Sequence, residues 1–262
     1  MTSDSSKQLH PDTEAPVSVV PMQRITKRVI LTMGGKGGVG KTSFMLALAE
    51  WFTTNEMKIR LLDLDTENKT RGSLSHYFNG AATKVDVHTA AGLDTFVDHL
   101  ESGASILLAD MGASSGQVTY DWFDSMFEDV QALGISFTAI GMVTPDPASV
   151  ESVLNWAAQL QDRVEYIIVE NAITYPADFA YWRGTEQAQR FRDLFHPLVL
   201  KMDFRLPELE NPARQYGITL GKIAERKHDV NELGRASLVL RAQSYRRRLF
   251  EEIEKAKHLL LP

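Results

Sequence analysis

Five glycines, two lysines and a threonine crowd into the nine residues Gly34-Gly35-Lys36-Gly37-Gly38-Val39-Gly40-Lys41-Thr42. Glycine allows positive φ, and without Cβ atoms several backbone N–H groups can converge on one point. A lysine and a hydroxyl beside such a turn add a mobile cation and a hard oxygen donor. The chemistry this combination suits is the holding of phosphate. From Gly35 to Thr42 the spacing is G-x-x-x-x-G-K-[ST], in which Lys41 reaches the β- and γ-phosphates of a nucleoside triphosphate and the Thr42 hydroxyl ligates Mg2+. Gly35, Lys36, Gly37, Gly38, Val39 and Gly40 form the loop, and Ser43 continues into whatever follows it. A glycine-rich turn that merely contains Lys-Thr is the alternative reading.

Two acidic residues complete the set. Asp65 closes the stretch Leu62-Asp63-Leu64-Asp65, and Asp110 closes Ile106-Leu107-Leu108-Ala109-Asp110. A carboxylate at the C-terminal end of a buried parallel strand faces the crevice where ligands of open α/β sheets bind. Asp110 is therefore the candidate for the coordination shell of Mg2+. Asp65 could face the same crevice or cap a helix, while Asp63 reads as structural or as a support for Asp65. Asn171 ends the apolar stretch Tyr166-Ile167-Ile168-Val169-Glu170. Its amide could pair with both a donor and an acceptor of a nucleobase, or it could be a turn residue closing a strand.

The elements that must carry these residues are legible as apolar runs: Arg28–Met33, Lys58–Asp63, Ser105–Asp110, Ser136–Val143, Glu165–Asn171 and Pro197–Met202. Continuous rather than alternating hydrophobicity predicts strands covered on both faces. Between them, helical patterns fall at 42–54, 92–101, 117–132, 147–161 and 185–194. The alternation predicts an α/β fold, a mostly parallel twisted sheet flanked by helices in three layers. The glycine-rich segment would then lie between a strand and a helix, where a phosphate loop belongs. The C-terminal third reads as helical over 207–260, with short segments at 207–217 and 218–227 and a long or broken helix over 231–260. In that last helix Leu238, Ala242, Tyr245, Leu249, Ile253 and Ala256 form one apolar stripe. Residues 27–262 are expected to be a single domain. Residues 1–26 are expected to be a disordered polar tail.

The segment Lys36–Thr42 resembles the deviant Walker A motif, KGGVGKT, of the ParA/MinD family of P-loop ATPases, of the SIMIBI class. The resemblance implies that Lys36 is a signature lysine reaching the ATP held by an opposing subunit, so that ATP binding makes a homodimer. It implies that Asp65 orients the attacking water and that Gly112 senses the γ-phosphate through its backbone N–H. It also implies that Asn171 reads the adenine edge and that a partner protein stimulates slow hydrolysis. The chain departs from the family in two places. Asp65-Thr66-Glu67-Asn68-Lys69-Thr70 is similar to the D-x-D-x-x-N-x-T of plasmid-borne relatives of the StbB, TraL and MobD type, rather than to the chromosomal D-P-Q. Asp110-Met111-Gly112 stands where the family more often has D-x-P-P, which bears on hydrolysis rate more than on binding.

Composition narrows the field. The 262 residues contain no cysteine, which removes disulfides, thiolate metal sites and iron–sulfur electron transfer by inventory. No apolar run approaches the roughly 20 residues of a membrane span, and the N-terminus lacks a secretory signal, so a cytoplasmic location is expected. The net charge of −6 is uneven: from Lys201 onward 13 Lys and Arg stand against 9 Asp and Glu. Arg246, Arg247 and Arg248 lie on the polar side of the last helix. That helix could simply pack on the domain, hold DNA phosphates or rest on an anionic membrane, the last being disfavoured by Glu251, Glu252 and Glu254. The leading expectation is an ATP-switched protein for plasmid or DNA partition, conjugation or cargo positioning. The alternatives are a small-molecule ligase of the dethiobiotin synthetase type on the same scaffold, and a MinD-like ATPase recruited to membrane.

Overall fold

A computed structural model describes residues 25–65, 72–78, 80–101, 103–113 and 116–262. In chain order the elements are β1 (Lys27–Thr32), α1 (Lys41–Thr54), β2 (Ile59–Leu64), α2 (Leu74–Tyr77), β3 (Ala82–Lys84), α3 (Ala90–Leu100), β4 (Ile106–Met111), α4 (Gln117–Ala132) and β5 (Ile135–Val143). They continue with α5 (Pro147–Leu160), β6 (Glu165–Asn171), α6 (Ala180–Gly184), α7 (Glu186–Phe195), β7 (Leu198–Met202), α8 (Pro207–Tyr216), α9 (Leu220–Ala224), α10 (Ala236–Lys255) and α11 (Lys257–Leu260). The strands form one sheet in the order β3-β2-β4-β1-β5-β6-β7, and every pairing is parallel. The expected three-layer α/β fold is the observed one.

The continuous apolar runs have the predicted cause, since alternate residues of the central strands enter different cores. Val29, Leu31, Leu107, Ala109 and Phe137 face Phe96 of α3, Phe123 of α4, Trp156 of α5 and Phe191 of α7. Ile30, Ile106, Leu108, Ile140 and Met142 face Phe44 and Leu48 of α1 and Leu249 and Ile253 of α10. The stripe Leu238, Ala242, Tyr245, Leu249, Ile253 and Ala256 is wholly buried, so the last long helix packs. Two of the three consecutive arginines Arg246–Arg248 are held by neighbours: Arg246 bonds Thr54 and sits over the Phe250 ring, and Arg248 pairs with Asp203 at 2.6 Å. Arg247 is exposed. Residues 259–261 are stitched to the adjacent central strands β1 and β5: Arg28 Nε donates to the Leu261 carbonyl at 3.2 Å, and Thr138 Oγ1 to that of Leu259 at 2.5 Å.

All six expected strands are present. The seventh, β3, is a three-residue polar edge strand with no apolar run to announce it. The short helices α2 and α6 also lie below the length at which periodicity can be read. The predicted helix over 231–260 is interrupted: a 3-10 turn covers Asn231–Gly234, and Ala256 separates α10 from α11. Of the tail, residues 1–24 lie outside the described residues, while the Thr26 N–H already donates to Gly134 at 2.8 Å. Among the described residues no helix is long and apolar enough to cross a membrane.

Candidate functional site

Strand β1 delivers the chain to the glycine-rich loop and α1 leaves it, as the spacing predicts. Gly35 and Gly40 have φ of +91° and +97°, a region that costs L residues about 1–2 kcal/mol. Both are also closely surrounded. A Cβ on Gly35 would lie 2.0 Å from Ser152 Oγ, and one on Gly40 would lie 2.4 Å from Asn171 Nδ2. The loop is thus held from outside while its inner side stays open. Helix α1 begins at Gly40 with no side-chain cap and no acidic residue in its first turn. Its leading N–H groups and positive dipole end are left for an external anion.

Lys41 is 8% exposed, and its Nζ donates to the Lys36 carbonyl at 2.8 Å. Thr42 Oγ1 donates to Asp110 Oδ2 at 2.6 Å, and Thr32 Oγ1 donates to Asp110 Oδ1 at 3.2 Å. Asp110 is fully buried. Burial pushes its carboxyl up to about 7 against the opposing effect of the Thr42 hydrogen bond, and the neighbouring Asp63 charge pushes the same way as burial. Among the described residues no cluster of three or more His, Cys, Asp or Glu could hold a metal. One hydroxyl and one carboxylate is the donor set of a Mg2+ ion that keeps its waters and takes phosphate oxygens for the rest. Thr42 and Asp110 fit that ion.

Asp63 is structural. Its Oδ1 accepts the Asp65 N–H at 3.2 Å, and its Oδ2 accepts the N–H and hydroxyl of Ser75 at 3.0 and 2.6 Å, which fixes the start of α2. Asp65 is 5% exposed and lies against Gly112, where an added Cβ would stand 3.0 Å from Asp65 Oδ1. The segment after β4 is stitched to the phosphate loop by the Gly35 N–H, which donates to Ala113 at 3.0 Å. Residues 66–70 of the plasmid-like motif, and Ser114 and Ser115, lie outside the described residues.

A cleft of about 740 Å³ unites Gly37, Gly38, Gly40, Lys41, Thr42, Ser43 and Asp65. Its far wall was missed in the sequence: Tyr77 of α2 and Asn211, Arg214 and Gln215 of α8. The i, i+3, i+4 spacing of the three α8 residues, which places them on one helix face, was the available signal. Helix α8 is tied down by Arg205–Glu210 at 2.9 Å and by the His76 ring against the Arg214 carbonyl at 3.2 Å.

Of the candidate residues, Gly35, Lys36, Val39, Asp110, Gly112 and Asn171 are outside the lining of this cleft, and two of them, Lys36 and Asn171, have side-chain partners away from it. Lys36 turns outward to Asp146, at 3.0 Å. Asn171 is 2% exposed, and its Nδ2 donates to the Val39 carbonyl at 2.8 Å. Its amide is therefore engaged as a brace behind the loop in this structure rather than turned toward a base. Asn171→Ala is expected to weaken binding of ATP, GTP and inorganic triphosphate alike, by about 10-fold for one buried hydrogen bond. Calorimetry with the three ligands checks this, and a loss confined to ATP would return Asn171 to base reading.

A model of the CobQ/CobB/MinD/ParA nucleotide binding domain matches residues 30–232. No curated protein sequence matches the chain. Among solved structures, the MinD cell division protein of Aquifex aeolicus aligns with a TM-score of 0.50 at 14% identity, over 90% of this chain and 98% of that one. The septum site-determining protein MinD of Pyrococcus horikoshii OT3, complexed with Mg-ADP, gives 0.49 at 15% identity, over 88% and 97%. These likenesses concern the fold. The family match spans most of the chain, from the middle of β1 through the whole sheet, and with the phosphate loop in place it assigns the protein: the chain belongs to the CobQ/CobB/MinD/ParA family of nucleotide-binding domains.

Proposed function

We propose that the protein is an ATP-dependent dimerisation switch that hydrolyses ATP slowly and serves plasmid or DNA partition, conjugation or cargo positioning in the cytoplasm. One observation carries the switch reading. Of the two loop lysines, Lys41 lines the cleft, whereas Lys36 is outside its lining, with its side chain 42% exposed. A loop needs one lysine for its own phosphates. An exposed second lysine beside it supports a role toward a nucleotide held by a second copy.

The residues divide the work. The loop's N–H groups and the head of α1 bind the triphosphate tail. Lys41, whose Nζ donates to the Lys36 carbonyl in this structure, lines the cleft and is the lysine for the loop's own phosphates. Thr42 and Asp110 would hold Mg2+, which would supply charge neutralisation at the phosphates. Asp65 closes the cleft floor and orients the attacking water. Tyr77, Asn211 and Arg214 offer polar contacts to the nucleoside. The exposed Arg247 and the basic excess after Lys201 support contact with DNA, and a partner protein that stimulates turnover completes the cycle.

The experiment is sedimentation with Mg-ATP in an Asp65→Ala background. A dimer is expected there, and Lys36→Ala in the same background is expected to remain monomeric while still binding ATP. A Lys36→Ala protein that dimerises as well as its parent removes the switch reading and favours a ligase acting on a small substrate.

A further inference from the structure

Both ends of Lys36 are held by α5 of its own chain. Its backbone N–H donates to Ser152 Oγ at 3.1 Å, and the same hydroxyl donates to the Gly34 carbonyl at 3.0 Å. Its ammonium meets Asp146 Oδ2 at 3.0 Å. Asp146 is the N-cap of α5 and divides its carboxylate: Oδ1 accepts the Ala148 N–H at 3.0 Å and Oδ2 takes the lysine. The Lys36 hydrogen bond is the main cause that holds this carboxyl below its ordinary range.

The turn that presents Asp146 is built to stay put. Pro145 and Pro147 flank it and fix two backbone φ angles. Ser149 Oγ accepts the Thr144 N–H at 2.9 Å and donates to the Asp146 carbonyl at 2.7 Å, and the Asp146 N–H donates to Thr144 Oγ1 at 3.2 Å. The carboxylate is therefore fixed in place, while its partner is a flexible side chain. Both side chains are about two-fifths exposed, and an ion pair this open is weak enough to be exchanged for a better anion.

We propose that Asp146 is a positioning residue that parks Lys36 in cis, so that a second copy's nucleotide must compete with it for the ammonium. This rests on the dimer reading above and adds its regulation. The parking contact sets the ATP concentration and protein concentration at which two copies join. In an isologous dimer both lysines must leave their aspartates, so the effect of the contact enters twice.

The test compares Asp146→Asn with the parent, both in the Asp65→Ala background. Asparagine keeps the oxygen that caps α5 and removes the charge. The dimer dissociation constant with Mg-ATP, from sedimentation equilibrium, is expected to fall by about 10-fold, as two open ion pairs are no longer broken. ADP affinity of the monomer is expected to be unchanged. A dimer of equal or lower affinity overturns the parking role and leaves the switch reading intact. Absence of any dimer in both proteins overturns the two together. A tightening that persists at 1 M salt, where the parent's ion pair is already screened, also overturns it, because the gain would not be electrostatic.

Discussion

Asp65→Ala is expected to lower steady-state phosphate release by about 10²–10⁴-fold, the range for loss of a positioned acid–base or water-orienting group. Mg-ATP affinity should stay within about threefold of the parent or become tighter, because the change removes a carboxylate from beside a polyanion. Asp65 lines the cleft together with the loop residues Gly37, Gly38 and Gly40. Its packing is against Gly112, whose missing Cβ leaves room for the carboxylate. Asp65→Asn, which keeps the volume and loses the charge, should fall nearly as far in rate as the alanine variant. Single-turnover hydrolysis with calorimetry on the same samples decides the matter: a rate within threefold of the parent removes Asp65 from the chemistry.

Gly40→Ala is expected to cost at least about 100-fold in affinity for any nucleoside triphosphate, the scale of loss when a binding group is displaced by about 1 Å. Two penalties combine at this position. Alanine at φ +97° is strained, and its Cβ would stand 2.4 Å from Asn171 Nδ2, a group pinned to the Val39 carbonyl. The loop must yield, because the amide is buried on every side. Gly38→Ala is the internal control. Its φ of +74° carries the same strain, but nothing lies within 4 Å of its Cβ, so a loss nearer 10-fold is expected from strain alone. Adding Asn171→Ala to Gly40→Ala should return part of the affinity by opening the space. Equal losses at Gly38 and Gly40, measured by fluorescent-nucleotide titration, would mean that the Asn171 contact is immaterial.

The site was most legible where its parts are contiguous. The phosphate loop declared itself because its glycines, lysine and threonine fall within nine residues between a strand and a helix. Asp110 was legible because it lies near the end of a buried strand, and the central strands because both their faces are apolar; β7 keeps one face, Val199 and Lys201, exposed. Contacts between residues distant in the chain were not legible. Nothing near Ser152 signals that it bridges Gly34 and Lys36, more than a hundred residues earlier. Asp146 lies just before the predicted helix over 147–161 and carries no signal of its own; only the fold shows it facing the lysine. Asn171 was found in the right place with a different partner, since an amide at a strand end serves a neighbouring backbone as readily as a base. The α8 wall carries an ordinary polar pattern, and only its placement opposite the loop gives it significance. The short elements β3 and α6 owe their form to the sheet edge and to the burial of Trp182, tertiary effects that override weak local preference.

The stitching of residues 259–261 to β1 and β5 has a consequence for how the protein is made. One side of the sheet, with Ile30 and Ile140, is covered by α1 together with α10 and α11, and the Leu261 carbonyl closes onto Arg28. A nascent chain can build β1 through β7 and still carry an uncovered oily surface until residues 236–261 have emerged. Chaperone dependence should therefore persist until that segment has docked, and truncation before Ala236 is expected to lower the soluble fraction on expression.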